Sequence, residues 1–184
     1  SQYGEKLVAT GGFKVKTTLD LLLQEKVQKI VSGHIQSLTK LSVSNGAALV
    51  IDPKSGDILA MVGSADYFND AIDGAVNLTN ILRPPGSSIK VVTYATALQN
   101  GFTPQSILDD SPVAYFDGYS TYSPRNYDGA YHGRVSLSVA LASSYNIPAV
   151  KILAQIGLPA MIDQARKMGI NSWKDTTNYG LSIT

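Results

Sequence analysis

Between residue 19 and about residue 38 the apolar positions Leu23, Val27, Ile30, Val31 and Leu38 keep a helical spacing, with His34 on the same stripe. One amphipathic helix is expected there. Thr18 fits its N-cap, and Asp20 lies favourably near the positive end of the helix dipole. The pattern then changes to two short apolar runs, residues 47–51 (Ala-Ala-Leu-Val-Ile) and 57–62 (Asp-Ile-Leu-Ala-Met-Val). They flank Asp52-Pro53-Lys54-Ser55-Gly56, a proline- and glycine-bearing turn, and together predict a β-hairpin. Residues 66–86 show no period and end in Pro84-Pro85-Gly86, which stiffens the chain before a helix expected from Ser87 to about Gln99, with Asn100-Gly101 as its stop. Residues 103–134 carry prolines, glycines, aspartates and the tyrosines Tyr115, Tyr119, Tyr122, Tyr127 and Tyr131, and read as a long surface excursion beside a site. Three shorter helices follow, at about 136–142, 148–155 and 159–168. Residues 1–17 are polar and glycine-containing and read as a lead-in segment with a short strand at 13–17. The chain has no internal repeat.

Composition narrows the classes. A chain of 184 residues, 44% hydrophobic and 16% charged, buries a sizeable core as one domain or a large piece of one. A net charge of +1 with interspersed signs leaves no electrostatic footprint for nucleic acid or a membrane surface, so no nucleic-acid partner is expected. No stretch approaches the roughly 20 apolar residues that span a bilayer, and the N-terminus has no signal-peptide pattern. Any anchor or export signal is expected outside these residues. With no cysteine, and only His34 and His132 as imidazole donors, disulfides and thiolate metal sites are excluded, and neither a metal nor another cofactor is expected.

Candidate chemistry gathers at Arg83-Pro84-Pro85-Gly86-Ser87-Ser88-Ile89-Lys90. Three residues along a helix bring Lys90 to the face of Ser87, and the helix dipole favours an alkoxide developing on Ser87. Lys90 is a useful proton acceptor only where burial or a neighbouring cation lowers its pKa; otherwise it is an ordinary surface lysine. Ser37 and Lys40 repeat the spacing without a rigid entry turn and read as a solvated face. Ser144-Tyr145-Asn146 is the single place where serine precedes asparagine by two residues. In a loop facing a cleft, Ser144 can relay a proton and Asn146 can bind a substrate amide; the alternative is a helix end followed by a polar turn.

Taken in order, several segments resemble the transpeptidase domain of penicillin-binding proteins, particularly the high-molecular-mass class whose chains also carry a glycosyltransferase domain. They are Thr17-Thr18-Leu19-Asp20, the run from Leu49 through Asp52-Pro53-Lys54-Ser55-Gly56-Asp57 to Gly63, Pro85-Gly86-Ser87-Ser88-Ile89-Lys90, Asn126-Tyr127, Gly133-Arg134-Val135, and Ala140 through Ser144-Tyr145-Asn146 to Val150. The resemblance implies an α+β fold of the penicillin-binding protein and serine β-lactamase type, an antiparallel sheet with helices. Residues 18–184 would form its N-terminal portion, the opening hairpin and most of the helical subdomain, with 1–17 leading in. Val91 and Val92 stand where relatives often have proline and, soon after, phenylalanine, and Ser64 where a second glycine is common, which bears on subtype more than on chemistry.

The resemblance further implies acyl transfer on peptidoglycan stem peptides ending in D-Ala-D-Ala, outside the cytoplasmic membrane. Ser87 would be the nucleophile, Lys90 its proton acceptor, Ser144 a proton relay and Asn146 a substrate ligand, with β-lactams as covalent inhibitors. The family's third motif, lysine, then serine or threonine, then glycine, follows the other two by a long stretch. Lys54-Ser55-Gly56 matches it in letters but precedes Ser87 and reads as hairpin turn. No later triplet occurs, so a C-terminal remainder of the domain, in the same chain or a second one, is the expected partner. The resemblance puts the third motif on a strand bordering the cleft, whose N–H joins that of Ser87 in the oxyanion hole; without that donor, worth roughly 3–4 kcal/mol of transition-state stabilisation, the 184 residues alone are expected to be nearly inactive. Apolar surface on the first helix and at Val91, Val92, Ala95 and Leu98 is expected to be exposed. Two other readings are a D,D-carboxypeptidase or β-lactamase-type hydrolase, in which water resolves the acyl-enzyme, and a non-catalytic penicillin-sensing or scaffold module.

Overall fold

A computed structural model describes residues 5–116, 118–173 and 179–184, so residues 1–4 of the lead-in and Asp117 of the tyrosine-rich segment lie outside the described residues. The backbone forms two compact units, 1–82 and 83–184.

In the first unit a short helix α1 (Glu5–Thr10) precedes an extended segment, and the strand expected at 13–17 does not form. Residues 13–17 stay extended and enter none of the three sheets among the described residues. Helix α2 (Leu21–Ser37) begins two residues later than expected, and its N-cap is Asp20, whose carboxylate accepts from Leu23 N at 3.0 Å. Thr18 is not the cap; its hydroxyl donates to Ile58 O at 2.7 Å. The hairpin pairs β1 (Ala48–Ile51) with β2 (Ile58–Val62) antiparallel, Leu49 opposite Met61, with a register shift between Val50 and Ile51. Asp52, Ser55 and Gly56 close its turn: Asp52 accepts from Lys54 N at 2.8 Å, and Gly56 takes φ +79°, a conformation glycine adopts without a Cβ clash.

The face of α2 that meets β2 is only partly the apolar stripe. Leu23, Val27, Val31 and Leu38 are half-buried, but Ile30 and His34 are exposed. Beside them runs a polar ridge at intervals of four, Gln24, Gln28 and Ser32. The Gln24 amide binds Met61 like a peptide group, donating to Met61 O at 3.0 Å and accepting from Met61 N at 2.8 Å. Gln28 donates to Ser64 O and Ala65 O at 3.2 and 3.0 Å, and Ser32 donates to Ala65 O at 2.5 Å. Hydrophobic periodicity is blind to such contacts, since they need polar side chains on an inward face.

In the second unit, a 3₁₀ turn (Gly86–Ile89) runs into α3 (Lys90–Gln99), which ends on Asn100, with Gly101 at φ +89°. The tyrosine-rich segment is more ordered than a surface excursion. It folds as β3 (Ile107–Asp110) paired antiparallel with the later β6 (Gly133–Ser136), and a small hairpin of β4 (Tyr115–Phe116) and β5 (Thr121–Tyr122) lies between them. Tyr119 and Tyr127 remain fully exposed. Three helices follow: α4 (Leu137–Ala142), α5 (Asn146–Ile156) and α6 (Leu158–Lys167).

Helices α3 and α5 sit between two apolar clusters and contribute to both. Tyr94 and Ala97 of α3 meet Ala149 and Ile152 of α5 together with Leu108, Leu137 and Ala140. Ile89 and Val92 meet Leu153 of α5 and Met161 and Ala165 of α6. Val92, expected to be exposed, is 3% exposed because α6 covers it, whereas Val91 and Leu98 do remain on the surface. Leu153 is fully buried between three elements. Leu153→Ala is expected to destabilise this unit by about 2–5 kcal/mol through lost burial and the cavity left behind, read as a lowered denaturant midpoint with unchanged slope.

Candidate active site

Pro84 and Pro85 restrict the backbone, and Gly86 at φ +54° turns the chain so that Ser87 enters a 3₁₀ turn. Residues three apart eclipse one another in a 3₁₀ turn. Lys90, at the end of that turn, therefore stands over Ser87, with Nζ 3.3 Å from Ser87 Oγ. The adjacent serine is different: Ser88 donates its hydroxyl to Pro85 O at 2.6 Å and serves the turn itself.

The loop between α4 and α5 delivers the other groups. Ser144 adopts φ +55°, the left-handed region that L-residues other than glycine enter at a cost. Its main-chain carbonyl accepts from Lys90 Nζ at 2.7 Å, and its hydroxyl lies 3.2 Å from the same nitrogen. Asn146 is not a loop residue but the first residue of α5, and its Oδ1 accepts from Lys90 Nζ at 2.5 Å. The other three candidate residues, Ser87, Ser144 and Asn146, are thus all within hydrogen-bonding reach of the Lys90 amine.

That amine is 1% exposed at the residue level, and among the described residues no carboxylate lies within ion-pair distance of it. Burial without a counter-charge lowers the Lys90 pKa from its ordinary value of 10.5. The acceptor inventory then matters. Ser144 O and Asn146 Oδ1 can only accept, whereas the two serine hydroxyls can also donate. A neutral Lys90 amine satisfies the two obligate acceptors with its two hydrogens and keeps a lone pair for a serine proton. The arrangement can therefore take the Ser87 proton without breaking its other hydrogen bonds.

The other sequence candidates are not assembled in this way. Ser37 donates to His34 O at 2.6 Å, and Lys40 is exposed. Ser55 donates to Asp57 in the hairpin turn at 2.9 Å, in keeping with the turn reading of Lys54-Ser55-Gly56. A cleft of about 690 Å³ opens over Ser87 and Asn146, walled by Pro84–Gly86, by Tyr122 to Arg125 and by Ser182 to Thr184, a size suited to a small ligand or a peptide end. Sequence reasoning gave no site role to Asp110, Arg125, Asn126 or His132, although Asn126 lies in one of the segments that carry the resemblance. Asn126 binds the backbone of Asn146 and Ile147, and Asp110 binds Asn126 and His132. The one local signal was Asp110, two residues after Leu108 and so on the same inward side of β3, where a buried acid must have partners.

The fold and its order of segments are those of the penicillin-binding protein and serine β-lactamase group. Residues 46–183 match the model of the penicillin binding protein transpeptidase domain, and the chain belongs to that family. Penicillin-binding protein 1B of Vibrio cholerae is 34% identical over 173 residues, which is 91% of this chain and 22% of that relative. Among solved structures, penicillin-binding protein 1A from Haemophilus influenzae is similar with a TM-score of 0.62 at 32% identity, over 68% of this chain and 18% of that one. Penicillin-binding protein A from M. tuberculosis, solved as an imipenem acyl-enzyme complex, is similar with a TM-score of 0.71 at 28% identity, over 90% of this chain and 43% of that one. The chain spans less than a quarter of the length of the curated relatives it matches here. Among the described residues, no helix is long and apolar enough to cross a membrane.

Proposed function

We propose that the chain carries the nucleophile of a peptidoglycan D,D-transpeptidase that cross-links cell wall on the outer side of the bacterial cytoplasmic membrane. The observation that carries this reading is the convergence of Ser87 Oγ, Ser144 Oγ and Asn146 Oδ1 on the buried Lys90 amine. Ser87 Oγ attacks the penultimate D-alanine carbonyl of a stem peptide while its proton passes to the neutral Lys90 amine. The tetrahedral adduct collapses, the C–N bond to the terminal D-alanine breaks, and the leaving nitrogen takes a proton from Lys90, directly or through Ser144. An ester on Ser87 remains. An amine of a neighbouring stem then attacks it, its proton passes to Lys90 and on to Ser87 Oγ as that oxygen leaves, and an amide cross-link forms with the serine hydroxyl restored. A β-lactam enters the first step by opening of its ring amide, so the leaving nitrogen stays tethered and the ester persists; the imipenem acyl-enzyme of the M. tuberculosis relative is the precedent that supports this.

In this reading residues 18–184 are the N-terminal portion of the domain and 1–17 lead into it. A C-terminal remainder, in the same or a second chain, completes the sheet and brings the third motif to Ser87. The hairpin supports it: two strands alone are marginal in water, and Leu49 and Ile51 of β1 are 42% and 48% exposed. The test uses the domain completed by that remainder, incubated with a D-Ala-D-Ala donor and an amine acceptor. Release of D-alanine together with an amide product supports a transpeptidase. Release with only the hydrolysed donor would make it a carboxypeptidase, and a stable Ser87 ester with neither product would make it a sensing module.

A further inference from the structure

Helix α5 opens on Asn146 without help from its own cap. Tyr145 stands at the N-cap and makes no side-chain hydrogen bond to the helix, since its phenol is not one of the short acceptors that reach back to the first free N–H groups. The acceptor comes from another element. Asn126 Oδ1 accepts from Asn146 N at 2.9 Å and from Ile147 N at 3.3 Å. The opposite end of that amide is committed too, because Nδ2 donates to both carboxylate oxygens of Asp110, at 2.9 and 2.8 Å, and to Ala130 O at 2.9 Å.

Asp110 is fully buried at the end of β3. Its carboxylate also accepts from His132 N at 2.9 Å and lies 2.6 Å from His132 Nδ1, and the His132 ring stacks on Tyr145 with centroids 4.0 Å apart. An ionised carboxylate only accepts, so it dictates which way the Asn126 amide faces: nitrogen toward Asp110, oxygen toward α5. The Asn146 amide is fixed by the same logic. Its Nδ2 donates to Arg125 O at 2.7 Å, which turns Oδ1 toward Lys90. Two consecutive residues thus hold both the backbone and the side chain of Asn146.

We infer that Asn126, oriented by Asp110, is a positioning residue for the chemistry at Ser87, an inference that rests on the acyl-transfer reading above. It sets the first turn of α5, and through it the Asn146 oxygen that keeps the Lys90 amine against Ser87. A cap needed for helix stability alone is supplied more simply by a serine or aspartate in place of Tyr145. An acceptor brought from a distant loop by a buried carboxylate carries the desolvation cost of that carboxylate. What it adds is a fixed spacing between residues 125–126 and residue 146, all in or against the wall of the cleft.

The test is the second-order rate of Ser87 labelling by a fluorescent penicillin, per folded molecule, in the completed domain, across pH. Asn126→Asp keeps the size of the side chain and its oxygen toward α5 but opposes a second carboxylate to Asp110, and such a pair is relieved by sharing a proton. The expected result is a loss on the order of ten- to a hundredfold at neutral pH, as for small displacements of catalytic groups. The ratio of variant to wild type should then recover as pH falls and a donor returns between the two carboxylates. Asn126→Ala should lose a similar factor with no such recovery. The groups that face this network, His132 on Asp110, Asp128 at 3.2 Å from His132 Nε2, the Tyr94 phenol that feels the Asp110 charge, and Lys90 beyond Asn146, are common to all the proteins, so each variant is compared with the wild type at the same pH. Wild-type labelling rates in the variants, whatever their melting temperatures, or an Asn126→Asp ratio that stays flat with pH, would overturn the inference. Should Asn126→Ala not fold, Asn126→Asp alone decides it. Absence of Ser87 labelling in the wild type would instead defeat the acyl-transfer reading, and this inference with it.

Discussion

Ser87→Ala is expected to abolish labelling by a fluorescent penicillin in the completed domain, while Ser37→Ala and Ser88→Ala retain it. Removing the nucleophile of a serine acyl-transfer site lowers the rate on the order of a millionfold, because the other groups have no bond to make without it. The two controls separate context from composition. Ser37 repeats the three-residue spacing to a lysine but spends its hydroxyl on His34 O, and Ser88 shares the turn of Ser87 but spends its hydroxyl on Pro85 O. Intact-mass analysis with peptide mapping reads the adduct directly. An adduct on any serine other than Ser87, or one that survives Ser87→Ala, would sink the assignment. The substitution itself should leave stability nearly unchanged, since Ser87 is exposed and its one described side-chain hydrogen bond is the 3.3 Å contact with Lys90.

The second large effect belongs to Lys90. Lys90→Met is expected to slow acylation by about 10²–10⁴-fold, the usual worth of a positioned general base. The pH dependence gives the sharper signature. Burial lowers the Lys90 pKa below 10.5, so wild-type acylation should rise with pH along a limb centred below that value as the amine becomes neutral, and the limb should be absent from Lys90→Met. Stability follows with a determined sign. Between the lowered folded-state value and 10.5, the unfolded chain holds a proton on Lys90 that the folded chain has released, so stability rises with pH across that window. Below the window both states are protonated and the burial penalty is carried in full. The stability of the wild type relative to Lys90→Met should therefore increase toward alkaline pH, measured by denaturant titration at several pH values. A relative stability that falls with pH would contradict a buried ammonium at this position.

How much of this was legible in the sequence depends on the kind of contact. The hairpin was legible because its turn, Asp52 to Gly56, forces a reversal between two apolar runs. Ser87 and Lys90 were legible because a spacing of three brings side chains together in an α-helix and in a 3₁₀ turn alike, so the pairing survived the change of helix type. The apolar stripe of α2 was legible, yet the Gln24, Gln28 and Ser32 ridge was not, because a glutamine facing inward looks in sequence like one facing water. Thr18 has the residue type of a cap, but Asp20, two residues on, has the geometry, and Thr18 has a strand carbonyl to bind. Asn146 was placed in a turn because serine and asparagine are turn formers, but an acceptor from Asn126 lets the helix begin there. Asp110, Asn126 and His132 act through partners that only tertiary structure supplies, and no spacing announces them.

The hairpin of β1 and β2 has one further property, which follows from the Gln24 amide. Met61 gives both its N–H and its carbonyl to that side chain, so Leu49 opposite it belongs to a pair that exchanges no backbone bonds, and the peptide groups of Leu49 point away from β2. Thr18 and the Asp20 backbone N–H occupy Ile58 O and Leu59 O along β2 in the same way. One margin of the ribbon is thus sealed by the chain that precedes it, while among the described residues nothing seals the margin at Leu49. Such a ribbon is a one-sided template: a further strand can join it only alongside β1, and a stray strand meeting β2 finds its peptide groups already taken.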